Sequence, residues 1–182
     1  MMLRKMKKIL FPALIIALGA LIFSCTKSDN NSSSGNPGAV SQTGARVQSG
    51  PTFAAADLNG GTRTFEEFKG KGPLVLNFWG TWCPPCRKEL PDLKKIYADF
   101  RPQGLEIISL AVKDNPGRVR EFVQQNGMEW VMLMSNREAE LAFNVTVGIP
   151  TTIFINRDGA EVSRLIGMQS YSSFKKEITK IL

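Results

Sequence analysis

Cys83 and Cys86 are the residues of this 182-residue chain whose type and spacing suggest chemistry, because they stand three positions apart where a helix is predicted to begin. Residues at this spacing lie on the same side of a helical turn, so the two sulfur atoms can reach bonding distance. The start of a helix favours negative charge, which predicts a stabilised thiolate at Cys83. We expect the sulfur of Cys83 to be exposed and that of Cys86 to be shielded. The pair is therefore predicted to exchange a disulfide with another molecule.

Two other interpretations of this pair compete with disulfide exchange. A structural zinc site needs about four Cys or His ligands, whereas the chain has no histidine and one further cysteine, Cys25. A purely structural disulfide would close a very short loop and would constrain the unfolded chain little. The order of strand, CxxC motif and helix favours redox chemistry over both, and we expect no metal ion.

The elements that must position the motif are a strand before it and a helix after it. Residues 73–79 form a continuous apolar run, which is typical of a strand covered on both faces. Residues 84–100 have apolar side chains at helical spacing, with an expected kink at Pro91. The first turn of this helix contains the second cysteine.

Periodicity and turn residues predict the other elements. A hairpin and a short capped turn are predicted before the motif, at 52–64 and 64–67. Strands are predicted at 105–112, 130–134, 151–155 and 161–166, and helices at 116–126, 137–143 and 171–181. This order of elements implies an α/β domain, in which a central mixed sheet is covered by helices and preceded by an N-terminal hairpin.

The first 24 residues have the composition of an export signal. Four basic residues, Arg4, Lys5, Lys7 and Lys8, precede an uncharged apolar run at 9–23. This run is short for a membrane span of about 20 residues and is typical of a signal peptide. Without these four cations, the net charge falls from +7 to +3. Such a modest charge favours neither nucleic acid nor a strongly basic membrane surface as a partner.

The end of the apolar run, Leu21 to Cys25, resembles the lipobox of bacterial lipoproteins, although Phe23 is bulkier than is usual there. The resemblance implies that Cys25 is lipidated and becomes the mature N-terminus, while an uncleaved anchor and an ordinary secreted protein remain alternatives. Residues 25–50 are rich in Ser, Asn and Gly and are predicted to form a flexible tether of about 25–30 Å. Residues 51–182 suit one domain.

Two motifs together resemble a known family. The segment at 77–86 reads Asn-Phe-Trp-Gly-Thr-Trp-Cys-Pro-Pro-Cys, and the segment at 148–152 reads Gly-Ile-Pro-Thr-Thr. They resemble thioredoxin-fold proteins, and among these the membrane-tethered, extracytoplasmic TlpA/ResA-like thiol–disulfide oxidoreductases, which are related to the AhpC/TSA redoxins. The similarity covers residues 51–182, and the helix and strand at 116–134 resemble the insert of that group. The resemblance implies an enzyme whose redox centre is a Cys83–Cys86 disulfide, without another cofactor.

The resemblance also implies which residues bind substrate. In this family the proline that matches Pro150 is cis and faces the CxxC motif. Because Pro150 has no N–H, the backbone of Ile149 is expected to pair with an extended substrate strand. Trp82 and Pro84 are expected to contact the same substrate.

Asn77 and Glu89 mark a departure from ordinary thioredoxins, which have a buried acid at the position of Asn77. An amide cannot accept the proton of Cys86, but ResA-like proteins have a glutamate that matches Glu89. We expect Glu89 to act as a general base toward Cys86. The alternative is a solvated surface charge beside Lys88.

The function that we predict is reduction of protein disulfides at the cell envelope, with electrons from a membrane thiol-transfer protein. The resemblance suggests apocytochrome c as a substrate. Alternatives are a disulfide oxidant, a thiol peroxidase of the AhpC/TSA type and a binding lipoprotein without activity. Peroxidases of that type have a Pro-x-x-x-Thr-x-x-Cys motif, whose spacing neither Pro73 nor Thr81 matches.

Overall fold

The computed structural model describes residues 50–182, which belong to one compact unit, Arg46–Leu182. The predicted signal peptide, Cys25 and nearly all of the predicted tether lie outside the described residues. Within residues 50–182, no helix has the length and apolar character that crossing a membrane requires.

The elements follow the predicted order. The strands are β1 (Ala54–Ala56), β2 (Thr62–Thr64), β3 (Leu74–Trp79), β4 (Glu106–Ala111), β5 (Val131–Met134), β6 (Thr151–Ile155) and β7 (Glu161–Ile166). The α-helices are α1 (Pro84–Phe100), α2 (Pro116–Asn126), α3 (Arg137–Ala142) and α4 (Tyr171–Ile178). Short 3-10 helices occupy Phe65–Glu67 and Arg101–Gln103.

The strand that precedes the CxxC motif lies at the centre of a five-stranded sheet with the order β5-β4-β3-β6-β7. It pairs in parallel with β4 and antiparallel with β6, so the sheet is mixed. All six residues of β3 are buried, as expected for a strand covered on both faces. The predicted α/β class is therefore confirmed.

Two layers cover this sheet. On one face, Val75 and Trp79 of β3 pack with the apolar sides of α1, α2 and α4. On the other face, Leu76 and Phe78 pack with the N-terminal hairpin and α3. Because side chains alternate along a strand, Asn77 lies on the same face as Val75 and Trp79. This face also receives the CxxC motif.

Local signals explain where the helices beside the motif begin and end. Cys83 is the N-cap of α1, and the two prolines after it occupy the first turn, where their missing N–H groups cost nothing. The helix continues through Pro91 to Phe100. The side chain of Asn115 caps α2, which ends at Gly127 with a φ of 58°.

Candidate active site

The two cysteines of the motif are joined by a disulfide with an S–S distance of 2.08 Å. Their Cα atoms are 5.3 Å apart, which confirms that the spacing brings the two sulfur atoms together. The backbone N–H of Cys86 lies 3.3 Å from Cys83 Sγ. After reduction, this N–H and the start of α1 would stabilise a thiolate at Cys83.

The prediction that the sulfur of Cys83 is exposed is wrong for this disulfide form. Cys83 is 2% exposed and Cys86 is 4% exposed, so both cysteines are buried. The physical reason lies in another part of the chain, because Cys83 Sγ lies 3.9 Å from the carbonyl oxygen of Ile149. The spacing of the motif contains no information about this covering segment.

The covering segment contains a cis peptide bond between Ile149 and Pro150, as the family resemblance implied. The Pro150 carbonyl accepts a hydrogen bond of 2.8 Å from the N–H of Gly167, and Thr151 Oγ1 donates one of 2.7 Å to the Gly148 carbonyl. Among the described residues, neither backbone group of Ile149 makes a backbone hydrogen bond. The carbonyl faces Cys83 Sγ, and pairing of the Ile149 backbone with an extended substrate chain stays a prediction.

Trp82 forms the exposed edge of the site. Its side chain is held by a 3.0 Å hydrogen bond from Nε1 to the Val112 carbonyl, yet the residue is 49% exposed. A Cβ atom at Gly80 would lie 2.8 Å from Trp82 Nε1, so the indole needs a glycine at that position. Trp82 and Pro84 are exposed, and Ile149 is half-buried. These predicted substrate-binding residues thus lie around the buried disulfide, and their roles stay predictions.

The turn before Cys83 is held by an acid that the sequence analysis missed. Both the backbone N–H and the hydroxyl of Thr81 donate hydrogen bonds of 2.7 Å to Asp114 Oδ2. Asp114 lies between β4 and α2, and its side chain is fully buried. Asp114 lies 33 positions after Thr81, and no local sequence pattern links the two residues.

Glu89 is buried rather than solvated, since it is 2% exposed. Its Oε2 accepts a hydrogen bond of 3.0 Å from the backbone N–H of Gln169, and its Oε1 accepts one of 3.4 Å from Asn77 Nδ2. Burial raises the pKa of the Glu89 carboxyl from 4.5 to about 7, and these two hydrogen bonds offset the effect only in part. The alternative of a surface charge beside Lys88 is therefore wrong.

Asn77 belongs to a row of polar side chains across the sheet. It pairs with Ser109 on β4 and with Thr152 on β6. Asn77 Nδ2 lies 3.2 Å from Thr152 Oγ1, and the Ser109 hydroxyl donates to Asn77 Oδ1 at 3.3 Å. Trp130 Nε1 donates to Ser109 Oγ at 2.8 Å. The sequence analysis treated Asn77 only as a missing acid, although one amide in an apolar strand signals a buried hydrogen-bond network.

This arrangement is suited to thiol–disulfide exchange. It combines a disulfide at a helix start, the backbone of Ile149 beside that disulfide, and one turn along α1 a carboxyl group whose pKa is about 7. Residues 50–182 contain no cluster of three or more His, Cys, Asp or Glu side chains that would hold a metal ion. The absence of a further cofactor stays a prediction.

The AhpC/TSA family profile matches residues 47–160 of the chain. The thiol–disulfide oxidoreductase ResA of Bacillus thuringiensis (strain Al Hakam) is 34% identical over 131 residues, which cover 72% of this chain and 75% of that protein. ResA of Bacillus subtilis (strain 168) is 37% identical over 123 residues, which cover 67% of this chain and 68% of that protein.

Several solved structures have a fold similar to that of this chain. A thiol:disulfide interchange protein of the thioredoxin family from Chlorobium tepidum TLS has a TM-score of 0.65 and 27% identity, over 72% of this chain and 94% of that one. A secreted disulfide oxidoreductase of Mycobacterium tuberculosis has a TM-score of 0.62 at 23% identity, over 70% of this chain and 95% of that one, and supports the fold alone. These similarities confirm the thioredoxin fold and the resemblance to ResA-like oxidoreductases.

Proposed function

The chain belongs to the AhpC/TSA family and is a thiol–disulfide oxidoreductase similar to ResA, and from this premise we propose that it reduces disulfides of other proteins outside the cytoplasm. The observation on which this proposal depends is the position of Cys83 at the start of α1, facing the Ile149 carbonyl. A partner chain that paired with the backbone of Ile149 would bring its own disulfide to Cys83.

The reaction begins with the reduced protein. The Cys83 thiolate attacks one sulfur of the substrate disulfide, whose S–S bond breaks as a mixed disulfide forms. The released substrate sulfur leaves as a thiolate and takes up a proton. The substrate remains attached through its other sulfur until the second cysteine acts.

The second step regenerates the disulfide of the protein. Glu89 accepts the proton of Cys86, and the resulting thiolate attacks Cys83 Sγ. The mixed disulfide breaks, and the substrate sulfur that was bound to Cys83 leaves as a thiolate and takes up the proton that Glu89 had accepted. The substrate then has two reduced thiols. Two electrons have then passed to the substrate, so the proposed redox centre is the cysteine pair itself, without another cofactor.

The direction of electron flow is the part of the proposal that a reduction potential tests. Equilibration of the full-length protein with thiol–disulfide buffers gives the potential of the Cys83–Cys86 pair. A value near that of thioredoxin, about −270 mV, supports a reductant, whereas a value near that of DsbA, about −120 mV, would identify an oxidant.

The proposed location rests on the N-terminal sequence. A basic segment, an apolar run and the lipobox-like end at Cys25 support export and attachment to a membrane through a lipid. A membrane thiol-transfer protein is the proposed electron donor, and apocytochrome c is the proposed substrate, both from the family resemblance. The appearance of free thiols on oxidised, disulfide-containing apocytochrome c, after it is mixed with the reduced protein, tests this substrate.

A thiol peroxidase is the second candidate, because the family that matches is described by the AhpC/TSA name. Neither Pro73 nor Thr81 has the spacing to Cys83 that such peroxidases use. A peroxide-consumption assay separates the two activities, since a reductase of protein disulfides consumes no peroxide at a catalytic rate.

A further inference from the structure

A groove with basic walls opens beside the disulfide, between α1 and α2. It has a volume of about 810 Å³ and includes Pro84, which lies between the two cysteines. Its lining includes Arg87 and Lys88 from α1 and Arg118 and Phe122 from α2. A molecule in this groove therefore contacts the turn that contains the two cysteines.

The positive charge of this groove is not neutralised by acids at its walls. Arg87, Lys88 and Arg118 are exposed, and neither Arg87 nor Lys88 forms an ion pair with any residue between 50 and 182. Two acids lie near the groove without lining it: Glu121, whose Oε1 accepts a 3.0 Å hydrogen bond from Gln125 Nε2, and Asp114, whose Oδ1 lies 3.9 Å from Arg118 Nη1. The other oxygen of Asp114 accepts both hydrogen bonds from Thr81, so the Asp114 carboxylate is already engaged within the protein.

The basic surface continues along α1. A neighbouring cleft of about 320 Å³ shares Arg87 and Asn126 with the groove and adds Lys94. Lys94 Nζ donates a hydrogen bond of 2.6 Å to the Asn126 carbonyl, which fixes this cation between the two helices. An extended occupant that spanned both clefts would thus lie beside cations in each of them.

Phe122 supplies an apolar surface within the groove. Its ring is half-buried and lies 5.4 Å from the Trp79 ring, and the guanidinium carbon of Arg87 lies 6.0 Å from its centre. A segment with both acidic and apolar side chains matches this combination of cations and an aromatic ring. A small inorganic anion would leave the apolar part without a contact.

We propose that this groove binds an acidic, extended segment of the protein substrate and thereby holds the substrate disulfide over Cys83. This inference rests on the proposed reductase function and names its substrate class. An anionic lipid surface is a different occupant, but a membrane seated on the groove would cover the adjacent disulfide and keep protein substrates away from it.

The test compares two disulfide-containing peptides that differ only in their flanking residues, glutamate in one and glutamine in the other. The reduced full-length protein is mixed with each, and the two second-order rate constants are measured. We expect the acidic peptide to react faster at low salt. The advantage should disappear at about 1 M NaCl, where the Debye length is about 3 Å.

Charge reversal in the groove should lower the preference of the protein for the acidic peptide. We expect Lys88→Glu and Arg118→Glu each to reduce the ratio of the two rate constants by up to about fivefold, the effect of one exposed ion pair. Any change in the reactivity of Cys83 itself cancels in this ratio, because it affects both peptides alike. The matched control is Arg137→Glu, an exposed cation of α3 on the opposite face of the sheet, and it should leave the ratio unchanged.

Three outcomes would overturn the inference. The first is equal rate constants of the wild-type protein for the acidic and the glutamine peptide. The second is a ratio of these rate constants that Arg118→Glu leaves unchanged. The third is a ratio that Arg137→Glu lowers as much as Arg118→Glu does. The groove would instead be assigned to lipid if Arg118→Glu abolished binding to phosphatidylglycerol vesicles but kept the wild-type preference for the acidic peptide. A wild-type protein that reduces neither peptide nor neutral 2-hydroxyethyl disulfide would contradict the proposed function itself.

Discussion

The backbone N–H of Gln169 lies 3.0 Å from Glu89 Oε2 and joins α1 to the segment between β7 and α4. Together with the 3.4 Å contact from Asn77, it fixes both carboxylate oxygens inside the protein. The hydrogen bonds favour the charged form, yet burial outweighs them and the pKa rises to about 7. Glu89 can therefore both accept and release a proton near neutral pH.

We expect Glu89→Gln to slow disulfide exchange by about 10²- to 10⁴-fold at pH 7, the usual contribution of general acid–base catalysis. The loss should shrink at high pH, because Cys86 then ionises without assistance. Stopped-flow measurement between pH 6 and 9 checks this. Asp92→Asn, which removes an acid one turn further along α1, is the matched control. If Glu89→Gln reacted at wild-type rates across this pH range, Glu89 would be excluded as the general base.

The stability of the oxidised protein should fall as pH rises from about 4.5 to about 7. The folded protein binds a proton at Glu89 in this range, since its pKa is raised, whereas the unfolded chain has already released it. The difference amounts to about 3 kcal/mol at most. Urea unfolding of the wild-type protein and of Glu89→Gln at several pH values measures this difference. If the free energy of unfolding changed with pH in the same way in both proteins, the prediction would be wrong.

We expect Asn77→Asp to move the pH dependence of exchange to higher pH. The substitution keeps the size of the side chain but places a second carboxylate against Glu89 Oε1, and a like charge raises the pKa of Glu89 further. The midpoint of the pH–rate profile is the readout. Ser109→Ala, which loses the hydrogen bond to Asn77 Oδ1, should shift it less. An unshifted midpoint in Asn77→Asp would argue that Asn77 does not act on Glu89.

We expect Cys83→Ser to abolish disulfide reduction and Cys86→Ser to accumulate a mixed disulfide with substrate. Cys83 faces Ile149, and its sulfur accepts a hydrogen bond from the backbone N–H of Cys86, so we expect Cys83 to be the attacking thiol. Mass spectrometry of the trapped adduct identifies the linked cysteine. If Cys86→Ser rather than Cys83→Ser prevents alkylation of the reduced protein by iodoacetamide, the two roles are reversed.

We expect Cys25→Ser to remain in its precursor form while its domain keeps its activity. The lipobox-like segment at 21–25 and the polar residues after it predict that Cys25 is the acylated residue. Metabolic labelling with a fatty acid and electrophoretic mobility check this. Equal acyl labelling and equal processing of wild-type and Cys25→Ser protein would exclude lipidation at this position.

The elements around the site were predictable because their signals are local. The prolines at 84 and 85, the apolar spacing of 90–100 and the apolar run at 73–79 act within a single element. The helix predicted at 84–100 is the observed α1, Pro84–Phe100, and the strand predicted at 73–79 is the observed β3, Leu74–Trp79. Disulfide formation between Cys83 and Cys86 follows from the same spacing.

Tertiary structure alone decided the environment of these residues. Glu89 meets a backbone group 80 positions away, and Asn77 meets a side chain 75 positions away. Burial of Cys83 depends on Ile149, which lies 66 positions later. Such contacts arise from the pairing of β3 with β6 and from packing across the sheet. Burial is a property of the assembled domain, so the raised pKa of Glu89 and the covering of Cys83 become visible only once the strands are paired.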